Sequence, residues 1–339
     1  MTRRRLTRRQ RERIEQAQKQ RRLRAVQRAV RRTGKLNQSD LGPEQSGLVI
    51  ANHGPALIVE NQQGALYRCT ARQNLGALVC GDRVIWQASG MGEGVVIARE
   101  ERRSLLTRPD HSGRLKPIAA NLDQVAVVMA SYPELNEFLI DRYLVAVAAI
   151  QITPLLVLNK IDMLDKKALA ALKARLFTYA RIGYPLLFAS TRSEHGLDAL
   201  RSRLKNCASI LVGQSGVGKS SLIQTLLPDR EIRIQALSRA TGRGTHTTTT
   251  ATLYHLPDGG DLIDSPGVRS FELGTLAPGD VERGFIEFTP LLKQCRFSDC
   301  THTVEPGCAL LAAVARQEID PRRLMSYQQI KNSLTHGIN

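Results

Sequence analysis

Residues 213–220 read Gly-Gln-Ser-Gly-Val-Gly-Lys-Ser, after the apolar run Ala208-Ser-Ile-Leu-Val212 and before Ser221-Leu-Ile-Gln-Thr-Leu-Leu227. No other stretch limits the fold so strongly. G-x-x-x-x-G-K-[ST] between a strand and a helix is a phosphate loop, which needs an α/β sheet to hold it. Its glycines let backbone N–H groups close around phosphate oxygens, and the helix N-terminus adds partial positive charge. Gly213, Gln214, Ser215, Gly216, Val217, Gly218, Lys219, Ser220 and Ser221 are the expected phosphate-binding residues. Lys219 is expected to reach the β- and γ-phosphates as a catalytic cation, and Ser220 to hold magnesium.

A base-reading motif precedes this loop instead of following it. Leu155-Leu-Val-Leu-Asn-Lys-Ile-Asp162 is a buried-strand pattern running into N-K-x-D. Asp162 is placed to accept hydrogen bonds from guanine N1–H and the 2-amino group, a donor pair that adenine lacks. Asn159 is expected to meet the base and bridge to the phosphate loop, while the Lys160 stem covers the base. Near Ser190, in Phe188-Ala-Ser-Thr-Arg-Ser-Glu-His-Gly-Leu197, a backbone N–H is expected to reach guanine O6. The competing reading of Asn159–Asp162 is a helix cap ahead of Met163-Leu-Asp-Lys-Lys-Ala-Leu.

Two further pieces follow. Asp261-Leu-Ile-Asp-Ser-Pro-Gly267 ends a strand in D-x-x-G, 44 residues past Ser220. Asp264 there is expected to support the magnesium, and the Gly267 N–H is placed to sense the γ-phosphate. In Gly242-Arg-Gly-Thr-His-Thr-Thr-Thr-Thr250, the residues Thr247, Thr248 and Thr249 compete as a further magnesium ligand, with Thr248 favoured and Thr250 extending the run. The order is that of a GTPase, circularly permuted. Permutation is tolerable because strand ends, not the loops joining them, make the site. It also leads the chain from D-x-x-G into its C-terminal region, which hydrolysis could reposition. Val268 follows Gly267 and cannot orient water, so slow intrinsic turnover is expected. His246, or a group from a partner, is then the expected water-positioning element.

The rest of the chain divides by texture. Residues 1–40 form a basic tail: 15 Lys/Arg stand against Glu12 and Glu15 in the first 35 positions. Those 35 positions hold +13 of the net +17. It has too little apolar area to fold alone and suits either solvation or phosphate neutralisation on nucleic acid. Residues 41–115 carry five short β-branched runs and suit an OB-type barrel, with 103–117 as a linker. Residues 116–275 alternate strand and helix, giving a mostly parallel, doubly wound sheet. Residues 276–339 hold Cys295-x4-Cys300-x-His302-x5-Cys308, a closed set for one structural zinc, followed by a helical stretch over 309–332. No apolar run is long enough for a membrane span and no secretory signal appears, so a soluble cytoplasmic protein is expected.

In this combination the sequence resembles the RsgA (YjeQ) family of ribosome-small-subunit-dependent GTPases, over roughly residues 40–335. The resemblance rests on Ile118-Ala-Ala-Asn-Leu-Asp-Gln-Val125, the N-K-I-D motif, the phosphate loop, G-R-G-T-H-T-T-T-T, I-D-S-P-G-V-R and the cysteine cluster. It implies a late assembly factor that binds the small ribosomal subunit, contact with which stimulates hydrolysis of GTP to GDP and triggers release. It further implies a hydrolytic role for His246, and ribosomal RNA contacts through barrel and zinc domain. A monomer is expected. The alternative is an RNA-binding scaffold in which nucleotide only stabilises the fold; an ATPase or kinase is disfavoured by Asp162.

Overall fold

The computed structural model describes residues 41–110, 114–230, 251–265, 276 and 278–335. The basic segment 1–40, His246, Thr247, Thr248, Thr249, Thr250, Gly267 and Val268 lie outside the described residues. The chain forms two units, parted after Glu101, each with its own core.

The first unit is a five-stranded barrel: β1 (Glu44–Asn52), β2 (Leu57–Asn61), β3 (Leu66–Ala71), β4 (Arg83–Gly90) and β5 (Glu93–Arg99). The strands run β1-β2-β3-β5-β4, and β4 pairs back on β1, which closes the barrel. Only β3–β5 is parallel. Val49, Leu57, Val59, Cys69, Val84, Val96 and Trp86, the single tryptophan, fill the interior. A Cβ on Gly94 would lie 2.7 Å from the Trp86 ring, so glycine there makes room for the indole.

The second unit begins with a hairpin, β6 (Leu105–Pro109) and β7 (Leu115–Ala120), where a linker was expected. Asp110 closes its turn: its N–H donates to Arg114 O at 2.9 Å and its carboxylate pairs with Lys116 at 3.0 Å. The prolines that suggest a linker sit at strand positions a hairpin tolerates. Parallel strands β8 (Gln124–Ala130), β9 (Thr153–Asn159), β10 (Leu186–Phe188), β11 (Ala208–Val212) and β13 (Asp261–Asp264) follow, in spatial order β10-β9-β8-β11-β13. Antiparallel β12 (Thr252–His255) flanks β13. All seven residues of β8 are buried, as a strand covered on both faces requires.

Helices α1 (Glu137–Ala149), α2 (Lys166–Ile182), α3 (Asp198–Leu204) and α4 (Lys219–Leu226) connect these strands. The first two start where the sequence supplies a cap. Asn136 Oδ1 accepts from Leu139 N at 3.0 Å, and Asp165 Oδ1 from Ala168 N at 2.7 Å. Three more helices, α5 (Pro278–Arg283), α6 (Ala309–Ala315) and α7 (Pro321–Thr335), build the C-terminal region around Phe285, Phe288, Leu310, Tyr327 and Ile330. The helical stretch over 309–332 is thus two helices. Gln317 takes a left-handed φ of 61°, and Pro321, which has no N–H to leave unpaired, opens the second. Val145 of α1 shares the C-terminal core.

Candidate functional site

The parallel strands deliver Asn159, Gly213 and Asp264 to one edge of the sheet, at their carboxyl ends, where doubly wound sheets bind ligands. The phosphate loop leaves β11 through Gly213, whose φ of 140° suits glycine and whose Cβ would lie 2.2 Å from Val128 O. Lys219 opens α4, and its Nζ donates to Gly213 O at 2.6 Å and Gln214 O at 2.7 Å. Ser220, in the first turn of α4, is exposed.

The base motif is stitched to this loop. Asn159 Nδ2 donates to Val217 O at 2.9 Å, and Lys160 Nζ donates to Gly216 O at 2.6 Å and Tyr132 O at 3.3 Å. Gly218 lets the two approach, since a Cβ there would stand 2.5 Å from Asn159 Nδ2. Asn159 is only 2% exposed, and its Oδ1 has no hydrogen-bond partner among the described residues. A buried acceptor left open beside a phosphate loop awaits a ligand donor. The helix-cap reading of Asn159–Asp162 fails here: Lys160 is left-handed, a 3-10 turn follows, and Asp165 caps α2.

Asp162 is exposed, and its carboxylate is aimed by the buried Ser190 hydroxyl, which donates to Oδ1 at 2.6 Å. One expectation needs correcting. The Ser190 backbone N–H donates to Gly196 O at 3.0 Å and is not available to guanine O6. Thr191 N–H, next along, has no partner among the described residues. Ser190 therefore orients the Asp162 carboxylate. Its Oγ also accepts from Arg192 N at 3.1 Å, which fixes the loop.

Asp264, half-buried at the end of β13, forms an ion pair with Arg230, from the turn after α4. Nothing in the sequence pattern singles out Arg230. The Ser220 hydroxyl and the Asp264 carboxylate are hard oxygen donors of the kind magnesium takes, and Asp264 already attracts a cation.

A family model described as RsgA GTPase matches residues 99–274. The small ribosomal subunit biogenesis GTPase RsgA of Azotobacter vinelandii is 53% identical over 98% of both chains. The chain belongs to the RsgA GTPase family. A relative of the same name from Pseudomonas aeruginosa is 51% identical, again over 98% of each. Among solved structures, YjeQ from Thermotoga maritima is similar with a TM-score of 0.72 and 31% identity, covering 86% of this chain and 99% of that one. YloQ, described as a circularly permuted GTPase, gives 0.71 and 25%, covering 88% and 97%. This RsgA-family chain is accordingly a GTP-hydrolysing enzyme with a permuted motif order.

The same RsgA-family chain gathers Cys295, Cys300, His302 and Cys308, whose ligand atoms all lie within 4.8 Å of one another. His302 Nδ1 is 3.6 Å from Cys295 Sγ and 3.4 Å from Cys308 Sγ. His302 is left-handed, with φ 62°, and Glu305 braces the turn that holds it. The Glu305 carboxylate accepts from the N–H groups of Thr301 at 2.8 Å, Thr303 at 2.9 Å and Val304 at 3.1 Å, as well as from the Thr301 hydroxyl. Those bonds, led by the hydroxyl's, hold its carboxyl well below the usual range. Burial pushes the Cys300 thiol up to about 11 and lowers the His302 imidazole pKa from its ordinary value, which favours the neutral form that binds metal. A bound cation reverses the thiol shift by taking the thiolate as ligand. The group can hold a metal ion.

Proposed function

We propose that this chain hydrolyses GTP as a late assembly factor of the small ribosomal subunit, stimulated by the subunit and released after turnover. The observation that carries the reading is the pair of contacts Asn159–Val217 and Lys160–Gly216, which bind base motif and phosphate loop into one purine triphosphate pocket. The relatives' name, small ribosomal subunit biogenesis GTPase, supplies the partner. The sequence divides as a basic tail over 1–40, an OB-type barrel over 41–115, a GTPase domain over 116–275 and a zinc-binding helical domain over 276–339. Barrel and zinc domain contact ribosomal RNA. The protein acts as a cytoplasmic monomer; among the described residues, no helix is long and apolar enough to cross a membrane.

In the pocket, Asp162 takes guanine N1–H and the 2-amino group, and Thr191 N–H meets O6. Asn159 turns its open Oδ1 toward a nucleotide donor, and the Lys160 stem lies along the base. Gly213 to Ser221 wrap the phosphates, with Lys219 exchanging its carbonyl partners for β- and γ-oxygens. Ser220, Thr248 and Asp264 would hold or support magnesium, which would supply positive charge to the phosphates when bound with GTP. Gly267 N–H reads the γ-phosphate. His246 orients the attacking water, because Val268 offers no polar group.

GTP turnover by the full chain, with and without purified small subunits, tests the reading. Stimulation of about 10-fold or more is expected, compared with the 10³–10⁵ a partner arginine gives other GTPases. His246→Ala should bind GTP yet lose the stimulated part. Unchanged turnover on adding subunits would favour the scaffold reading, and full stimulation in His246→Ala would remove that residue from the mechanism.

The metal is proposed to be one structural zinc. Bonds of about 2.3 Å to thiolate and 2.0 Å to imidazole at tetrahedral angles place S and N roughly 3.5 Å apart. The measured 3.6 and 3.4 Å fit. Four protein ligands leave no position for water, so the ion ties the loop and does no chemistry. Cys300→Ser should lower bound zinc well below one per chain after dialysis; a variant that keeps one equivalent would show that Cys300 is not a ligand.

A further inference from the structure

The proposed magnesium support, Asp264, is already in use. Arg230 comes from the turn that follows α4, closed by Arg230 N donating to Leu227 O at 3.1 Å. Its side chain runs across Tyr254 of β12, with the guanidinium carbon 5.7 Å from the ring centre, and ends on Asp264 Oδ2. The pair is sheltered: the side chains are 24% and 19% exposed. Solvent therefore screens it less than an ordinary surface ion pair. Asp264 sits at the carboxyl end of β13, whose Ile263 stands beside Ile210 of β11, the strand that feeds the phosphate loop. The carboxylate thus faces the edge where the triphosphate belongs, and a built-in cation holds one of its oxygens.

We propose that Arg230 competes with magnesium for Asp264, and so sets the magnesium concentration at which guanine nucleotide binds tightly. The proposal rests on the reading of Asp264 as a magnesium support. A guanidinium stays charged at every relevant pH, so the arginine does not release the carboxylate by losing a proton. A divalent ion arriving with the nucleotide's phosphates would carry the larger charge and would take Asp264 from the arginine. Nucleotide without magnesium leaves the Arg230–Asp264 pair in place. Binding then carries a metal threshold that a bare Ser220–Asp264 site would lack.

The test uses the full chain and a fluorescent, non-hydrolysable GTP analogue, titrated with magnesium from an EDTA baseline. Arg230→Ala should lower the magnesium concentration for half-maximal tight binding by about 3- to 10-fold, the effect of losing one sheltered ion pair. Its affinity in EDTA should match wild type. Arg230→Lys, which keeps a cation in reach, should fall between the two and guards against a packing artefact at Tyr254. An unchanged magnesium midpoint in Arg230→Ala, or a loss of affinity already present in EDTA, overturns the competition. Asp264→Asn should raise the midpoint; if it does not, the magnesium role of Asp264 fails instead, whatever Arg230 does.

Discussion

Asp162→Asn should weaken GTP binding by roughly 10²- to 10⁴-fold and bring its preference over ATP close to unity. Two charge-assisted hydrogen bonds, each worth about 1.5–3 kcal/mol, run from guanine to the carboxylate in this reading. The amide that replaces it keeps one acceptor and sets a donor against the 2-amino group, so one contact is lost and another becomes repulsive. The fold should not register the change, because Asp162 is exposed and gives up only the Ser190 hydroxyl bond. Xanthine nucleotides provide the control: their 2-oxo group accepts where guanine donates, so the variant should bind XTP better than wild type does. Competition binding with GTP, ATP and XTP measures all three at once. A variant that still preferred GTP over ATP as strongly as wild type would sink the base assignment.

The parts of this pocket that were legible are those written locally. A strand, a glycine-rich turn and a helix start are consecutive in Ala208–Leu226, and one glance at spacing places them. The same holds for Asn159–Asp162, and for the cysteine cluster within fourteen residues. Ser190 shows the limit. Its identity was legible, but its N–H is taken by Gly196 O, a partner fixed by how the loop returns on itself. Arg230 was illegible because its partner lies 34 residues away across a strand boundary, with no motif connecting them. The hairpin over 105–120 was hidden by prolines that read as linker, although Asp110 in the turn and the alternation around Leu106 carried the signal. The parallel β3–β5 pairing that precedes barrel closure has no sequence marker at all, since pairing order depends on tertiary packing.

Asp141→Ala is expected to cost about 3–5 kcal/mol, the largest stability loss of any single change considered. Asp141 is fully buried on α1 and serves three donors. Its Oδ1 accepts from Arg323 Nη1 and from the Tyr179 hydroxyl, both at 2.6 Å, and its Oδ2 from Arg322 Nη1 at 3.0 Å. Arg323, also fully buried on α7, forks onto Glu287 at 2.7 and 3.0 Å and lies 4.2 Å from the Phe285 ring centre. Burial, reinforced by Asp141, pushes the Tyr179 phenol far above its ordinary range, so it stays a neutral donor at any working pH. Removing Asp141 leaves a buried guanidinium with one counter-ion instead of two. Arg322 can turn to water, and that relief places the cost toward the lower figure. Replacing Asp141 and Arg323 together by Leu and Met should recover much of the loss, because an apolar core needs no charge balance, whereas Arg323→Met alone should not. Urea unfolding of the four proteins gives the comparison; an Asp141→Ala unfolding free energy within about 0.5 kcal/mol of wild type would show that the cluster holds nothing. The cluster also bears on mechanism. It joins α1 and α2, which flank the nucleotide sheet, to α7 of the C-terminal region, and Gly284 presses so close to Val145 that a Cβ would lie 2.4 Å from its Cα. Swinging that region away on hydrolysis would expose these charges and empty this contact. The C-terminal helices should therefore stay seated through the nucleotide cycle, and Asp141→Ala should loosen their seat without changing GTP affinity.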